Sequence, residues 1–291
     1  MRTWAVVALL LTPGPLAAQG VRFDGGLGVA TGTYLFEERT TTWWVSGGLG
    51  LELGAFTLRG SIPLLFQNST LIAGSGAGNV PTGGSSSGTV ADSGRSRHGD
   101  GDGRGGTMAG DARPELSHGV VEVPASATTE YQSALGDPTV SLSWRTRAAR
   151  STTLGLGATV KAPVADTSTF GTGEWDVGFN AGVSHALGER LLLGVDLAYW
   201  RLGDLDDLEL RDPVYGTASL GYLGAGGWGG TVLASGGTAV LDGYDAPFSL
   251  GAGVHRFRDG RSLSALATIG LTETAPDFTL GLLWGIRLAG W

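Results

Sequence analysis

Apolar residues alternate with polar or small residues along most of this chain, the period of a strand with two different faces. The last segment shows it well. Phe278, Leu280, Leu282, Trp284, Ile286 and Leu288 share one parity, and Thr279, Gly281, Gly285 and Arg287 share the other, with Leu283 as the exception. Residues 174–187 repeat the pattern, with Trp175, Val177, Phe179, Ala181 and Val183 against Glu174, Asp176, Gly178, Asn180, Gly182 and Ser184. Residues 190–200 set Leu191, Leu193, Val195, Leu197 and Tyr199 against Arg190, Gly194, Asp196 and Ala198.

The pattern predicts strands over 21–36, 41–53, 56–68, 135–147, 152–164, 174–187, 190–202, 213–223, 228–241, 247–257, 262–272 and 278–289. Each is at or above the roughly 9–11 residues that carry a tilted strand across a bilayer. The connections fall into two alternating sets. Gly54-Ala55, Arg147–Ser151, Gly188-Glu189, Gly224–Gly227 and Arg258–Arg261 are short, and Asp259-Gly260 is a strong hairpin signal. Glu37–Thr40, Thr70–Ala134, Asp166–Gly173, Gly203–Asp212, Asp242–Ala246 and Glu273–Asp277 are mostly longer or more polar. Short periplasmic turns and longer outer loops are the asymmetry of outer-membrane barrels. The fold expected is therefore all-β: an antiparallel transmembrane β-barrel of about twelve strands, of the outer-membrane type.

Composition fits. Gly accounts for 52 of 291 residues and charged residues for 16%, against typical shares of about 7% and 25%. Gly fills many second-face positions, where a soluble core would need side chains. Trp43, Trp44, Trp175, Tyr199 and Trp200 fall near expected outer strand ends, and Trp144, Trp228 and Trp291 near inner ends, as aromatic girdles would.

The first residues read as an export signal. Arg2 precedes the apolar run Trp4–Leu11, then Pro13-Gly14-Pro15 and the small residues around Ala17-Ala18. Cleavage is expected after Ala18. This divides the chain into a signal peptide at 1–18 and a barrel at 19–291, with a flexible Gly/Ser/Asp-rich outer loop at about 70–130. Within that loop, Asp100-Gly101-Asp102-Gly103 lacks the later acidic ligand of a calcium loop. The expected location is the cell outer membrane.

A net charge of −8 disfavours nucleic acid, and the absence of Cys removes disulfide and thiolate chemistry. His98, His118, His185 and His255 show no zinc spacing. Ser117 and His118 are adjacent, so on a strand they would point to opposite faces. No catalytic constellation, metal site or cofactor is indicated, and the chain is not expected to be an enzyme. The expected partners are outer-membrane lipid and small-molecule solutes, with oligomeric state left open.

What remains is the inward face. Alternation points Glu52, Arg59, Gln67, Arg145, Lys161, Asp176, Asn180, Asp196, His255 and Arg287 into the lumen. These residues either brace the wall through cross-lumen pairs or line a solute path. About eight strands leave room only for side chains, and about 16 leave an aqueous channel. Twelve gives a narrow or plugged conduit.

From Leu135 onward, several short motifs stand together: Leu135-Gly136-Asp137, then Lys161-Ala162-Pro163, then Gly171-Thr172-Gly173 with Asp176, then Gly203-Asp204 after Tyr199-Trp200. Ser61-Ile62-Pro63 lies upstream. In these the chain resembles the outer-membrane transporter family associated with the meta-pathway of phenol degradation. The resemblance covers roughly 50–291 apart from the insert. It implies passive transport of small solutes, including hydrophobic or aromatic ones. Pro163-Val164-Ala165 departs from the family's frequent Pro-Thr-Gly. The alternatives are a structural or surface-interaction barrel with its function in the outer loops, and an outer-membrane hydrolase. Lys161, the one Lys in the chain, is expected to approach Asp176 and to influence ion preference.

Overall fold

A computed structural model describes residues 20–81, 131–167, 170–203, 210–241 and 243–290. The signal sequence, most of the insert and Trp291 lie outside the described residues, as do Ser117-His118 and Asp100–Gly103. The wall opens with β1 (Gly20–Gly32), β2 (Thr40–Leu53) and β3 (Phe56–Gln67). A short hairpin follows, β4 (Ile72–Ser75) and β5 (Gly78–Pro81). The wall resumes with β6 (Gln132–Leu135), β7 (Thr139–Ala149), β8 (Thr152–Lys161), β9 (Asp176–Leu187) and β10 (Leu191–Arg201). It ends with β11 (Val214–Leu223), β12 (Trp228–Gly237), β13 (Phe248–Arg258), β14 (Arg261–Gly270) and β15 (Phe278–Gly290).

Each wall strand pairs antiparallel with its sequence neighbours, and β1 pairs with both β2 and β15, so the sheet closes on itself. β6 and β7 share one place in the wall. β6 pairs with the far end of β3 and β7 with its near end. The break falls at Gly136-Asp137-Pro138, opposite Pro63, which has no N–H to give; the Pro63 carbonyl instead accepts from Gly136 N–H at 2.8 Å. The result is a closed antiparallel barrel of twelve strands. No helix among the described residues is long and apolar enough to cross a membrane.

The register fixes two faces. Leu142 lies opposite Leu58 and Ala158, and Ser141 opposite Arg59 and Thr159. Across β7 to β10 this parity turns Leu142, Leu156, Val177, Val183, Leu193 and Leu197 outward and Ser141, Ser143, Thr159, Asn180 and Asp196 inward. A large, exposed apolar surface on a protein is a membrane or partner surface, and here it runs round the wall. Leu282 lies beside Leu27 on the same outer face, while Leu283 turns inward next to Ser46.

The strand boundaries differ from expectation mainly at the long-loop end. β1, β8 and β12 stop at Gly32, Lys161 and Gly237 rather than at 36, 164 and 241. Of the apolar residues that prolong the alternation there, Tyr34 and Phe36 pack with Leu71 and Ile72, and Val240 and Leu241 with Val80. Their burial comes from covering the mouth, not from the sheet. The start of the insert also departs from a plain outer loop, because Ile72–Pro81 folds back as the β4–β5 hairpin. Two girdle assignments change as well. Trp44 and Trp200 sit on the inner parity, beside outward Trp43 and Tyr199, because neighbours on a strand face opposite ways.

At the short-turn end, Arg258 pairs with Arg261 across Asp259-Gly260. Both turn residues have positive φ, 49° and 72°, which is what a two-residue turn matching the strand twist requires.

The register can be tested one residue apart. Leu142→Arg should cost about 2–4 kcal/mol of folding into liposomes, as for a cation near the midplane of a barrel's lipid face. Ser141→Arg, facing the lumen, should cost much less. Urea titrations of the two variants check this; equal costs would contradict the faces.

Candidate functional site: the lumen and its long-loop mouth

All ten sequence-selected residues lie on the inner parity, but they do three different things. At the short-turn end they form ion pairs. Arg287 reaches Glu52 at 2.9 Å. Arg59 lies 3.0 Å from Asp24, which Arg22 also meets at 2.6 Å, and Arg22 donates to Ser262 at 2.7 Å. Arg22 and Asp24 were not among the selected residues. Their signal was present: they share the parity of Gly26 and Gly28 in β1.

Other inward residues are less engaged. Arg145, Asn180 and Asp196 line a recess of about 270 Å³ with Ser143, Thr153 and Ser184. No ion pair joins Arg145 to Asp196 among the described residues, so both present their charge to the lumen. His255 is held by two hydroxyls, Ser264 on Nδ1 at 3.0 Å and Thr231 on Nε2 at 3.1 Å, and stacks on Phe257. With hydroxyls on both ring nitrogens, none is left for the carboxylate that orients a hydrolytic base.

At the long-loop end, Gln67, Lys161 and Asp176 are buried. Lys161 Nζ donates to Asp137 at 2.9 Å and to Thr172 at 2.7 Å, and lies 3.2 Å from Asp176. Asp137 accepts further from the N–H groups of Val164 and Ala165, at 2.8 and 2.7 Å. Asp176 accepts from those of Gly76 and Gly203, at 2.7 and 3.1 Å. The Gly-Asp, Lys-x-Pro and Gly-Thr-Gly motifs thus meet in one cluster. Their spacing in sequence gave no hint that Asp137 and Thr172 would join Lys161, since Asp137 falls in a break within the expected strand 135–147 and Thr172 lies in a loop.

This cluster positions the β4–β5 hairpin inside the barrel. Gly76 at its tip is held by Asp176, Gly74 N–H donates to the Phe170 carbonyl at 2.9 Å, and Gln67 donates to the carbonyls of Ser69 and Ile72. Trp200 lies between Gly76 and Gly178, where a Cβ at either would collide with its ring. On the far side Asn79 donates to the Tyr34 hydroxyl at 3.2 Å. Burial holds the Tyr34 phenol above the ordinary tyrosine range, so it stays neutral at physiological pH.

The hairpin leaves part of the mouth open. A cavity of about 420 Å³ remains between it and β10–β13. Four aromatic rings line it, from Tyr34, Trp200, Tyr215 and Tyr244, together with Val240 and Leu241. The polar groups are few, chiefly Asn79, Ser235, Ser249 and Asp245. A mostly apolar cavity of this size with a few polar groups is the usual form of a small-molecule site.

No protein-family model matches the chain, and no curated protein matches it. Among solved structures, an outer-membrane channel from Pseudomonas putida F1 aligns over 96% of this chain and 100% of its own, with a TM-score of 0.61 and 14% identity. The KdgM porin aligns over 92% of this chain and 99% of its own, with a TM-score of 0.47 and 5% identity. The toluene transporter TodX from P. putida aligns over 94% and 92%, with a TM-score of 0.46 and 10% identity. The likeness to the first is one of fold: this chain has the closed antiparallel β-barrel fold of the outer-membrane type.

Because Lys161 is shielded from lumen water, its burial favours bracing over path lining. Lys161→Met would leave two buried carboxylates facing each other, a loss of about 3–5 kcal/mol for breaking a buried pair. The expected outcome is a lower thermal midpoint and a larger single-channel conductance as the hairpin loosens, with ion preference little changed. Thermal unfolding and bilayer recording of the same preparation check both parts.

Proposed function

We propose that this chain is a passive outer-membrane channel for small solutes, exported by the signal peptide at 1–18, and that aromatic or otherwise apolar solutes enter through the long-loop mouth. The observation that carries the reading is the cavity of about 420 Å³ walled by Tyr34, Trp200, Tyr215 and Tyr244. It offers rings to an apolar solute and a few hydroxyls to a polar substituent, while the inward wall below it is polar. The Tyr215 hydroxyl, on the inner parity of β11, has no hydrogen-bond partner among the described residues, which leaves it free for a solute. The resemblance to the phenol meta-pathway transporters points in the same direction.

Binding here would be weak and transient by design, since a conduit must release what it takes in. The inward charges away from the long-loop mouth, Arg22, Arg59, Arg145 and Arg287 with Asp24, Glu52 and Asp196, then form the inner part of the path. Long loops face outward and short turns face the periplasm, as the turn lengths indicate.

Two measurements test this. Proteoliposomes should take up a neutral monoaromatic compound faster than empty vesicles, and Tyr215→Ala with Tyr244→Ala should slow that uptake several-fold while leaving salt conductance within about twofold, since the remaining lumen charges are untouched. Equal uptake by both proteins would exclude the mouth cavity as the entry. Orientation can be read from single cysteines, because the chain has none of its own. Glu37→Cys should react with an impermeant maleimide on intact cells, and Asp259→Cys only after the outer membrane is opened.

A further inference from the structure

Among the arginines near the short-turn end, Arg256, Arg258 and Arg261 on β13 and β14 face outward. In the β13–β14 register Arg256 stands opposite Leu263 and Arg258 opposite Arg261, all on the parity of the apolar wall. The Arg256 guanidinium sits 5.0 Å from the centroid of the Trp228 ring, itself exposed on the same face. A groove of about 650 Å³ runs between β13 and β15, with the three arginines along it and Leu263, Trp284 and Ile286 as its apolar side.

Asp259 is the one acidic residue lining the groove. Arg258 meets only its neighbour Asp259 at 3.1 Å, and both side chains are more than two-thirds exposed; a pair so open to water contributes little. Arg256 and Arg261 have no ion pair among the described residues. A cation on the lipid-facing side of a barrel is costly in hydrocarbon and inexpensive at the headgroup level. Tryptophans at this depth mark that level. There the available anions are lipid phosphates, and a guanidinium fork matches phosphate oxygens in two-point contact.

We propose that this groove is a binding site for one anionic phospholipid of the leaflet at the short-turn end. Its phosphate is held by Arg256, Arg258 and Arg261, and an acyl chain lies along Leu263, Trp284 and Ile286. The leaflet assignment rests on the outer-membrane reading and orientation given above; the site itself rests on the arginines and the groove. A zwitterionic phospholipid carries the same phosphate but no net charge, so a groove lined by three arginines with only the exposed Asp259 against them favours the anionic lipid.

The test uses the purified full-length barrel in detergent, titrated with phosphatidylglycerol or phosphatidylcholine and read by native mass spectrometry. Each basic residue near an anionic lipid surface changes partition about fivefold. The wild-type barrel should retain phosphatidylglycerol at least about tenfold better than phosphatidylcholine, from two or more such residues acting together. The triple variant Arg256→Gln, Arg258→Gln, Arg261→Gln should lose that preference while keeping the compact, heat-modifiable band of a folded barrel. Arg256→Lys, which keeps the charge and loses the fork, should fall between them. The site is refuted if the wild type shows no preference, if the triple variant keeps it, or if excess inorganic phosphate displaces the lipid, which would make this a free-phosphate site. Because micelles have no sidedness, these results stand apart from the cysteine labelling. Reversed labelling with the preference intact would overturn the leaflet and the orientation but not the arginines' ligand.

Discussion

One lysine held between two aspartates organises the long-loop half of this barrel. Lys161 ends β8, Asp137 interrupts the wall between β6 and β7, and Asp176 opens β9, so the cluster ties three neighbouring wall positions together. The aspartates also fix backbone: the second oxygen of Asp137 holds 164–165, that of Asp176 holds Gly203, and the Asp176 oxygen facing Lys161 also holds the hairpin tip at Gly76. Taking three charges out of water is unfavourable unless nearly every lone pair and proton finds a partner, and here they do. A half-satisfied version would be worse than an apolar one, so the arrangement is all or nothing. That explains why short, scattered motifs act as a unit: none has a use without the others.

The same hub decides the shape of the lumen. Twelve strands alone would enclose a lumen wider than side chains can fill and narrower than an open porin. The hairpin tethered by Asp176 occupies one side of the mouth and leaves the aromatic cavity on the other. Trp200 serves both, packing against the hairpin tip and facing the cavity. Sealed and open stretches of the inner face are therefore divided along the barrel. Buried, fully bonded polar groups lie where the wall must hold a loop in place. Exposed charges such as Arg145 and Asp196 lie where it must face solvent.

Much of this was legible in the sequence, because a barrel writes its faces in a period of two. Residues such as Leu142 and Ser141 differ by one position and by the whole thickness of the wall, so alternation reports strand and face together. The ten inward residues follow from that rule. What alternation cannot report is which inward residues meet. Lys161 and Arg145 look alike as isolated cations on the inner parity, yet one is sealed among carboxylates and the other open to the lumen. The difference comes from Asp137 and from the hairpin, both in irregular segments whose paths depend on three-dimensional contact. Apolar residues of the mouth misled in a definite way: Tyr34, Phe36, Val240 and Leu241 extend the strand rhythm but are buried by loop packing.

The seam between β1 and β15 has a consequence for how the molecule comes into being. Gly20 pairs with Gly290, so the contact that finishes the wall joins nearly the two extremes of the described chain. Until it forms, the first and last strands each present a row of unpaired amides and carbonyls, which hydrocarbon will not tolerate. Local hairpins can zip up one after another, but none of them removes those two open borders. Assembly is thus settled late and at once, by the longest-range strand pairing among the described residues, and a nascent wall lacking its final strand has no stable resting place in the bilayer.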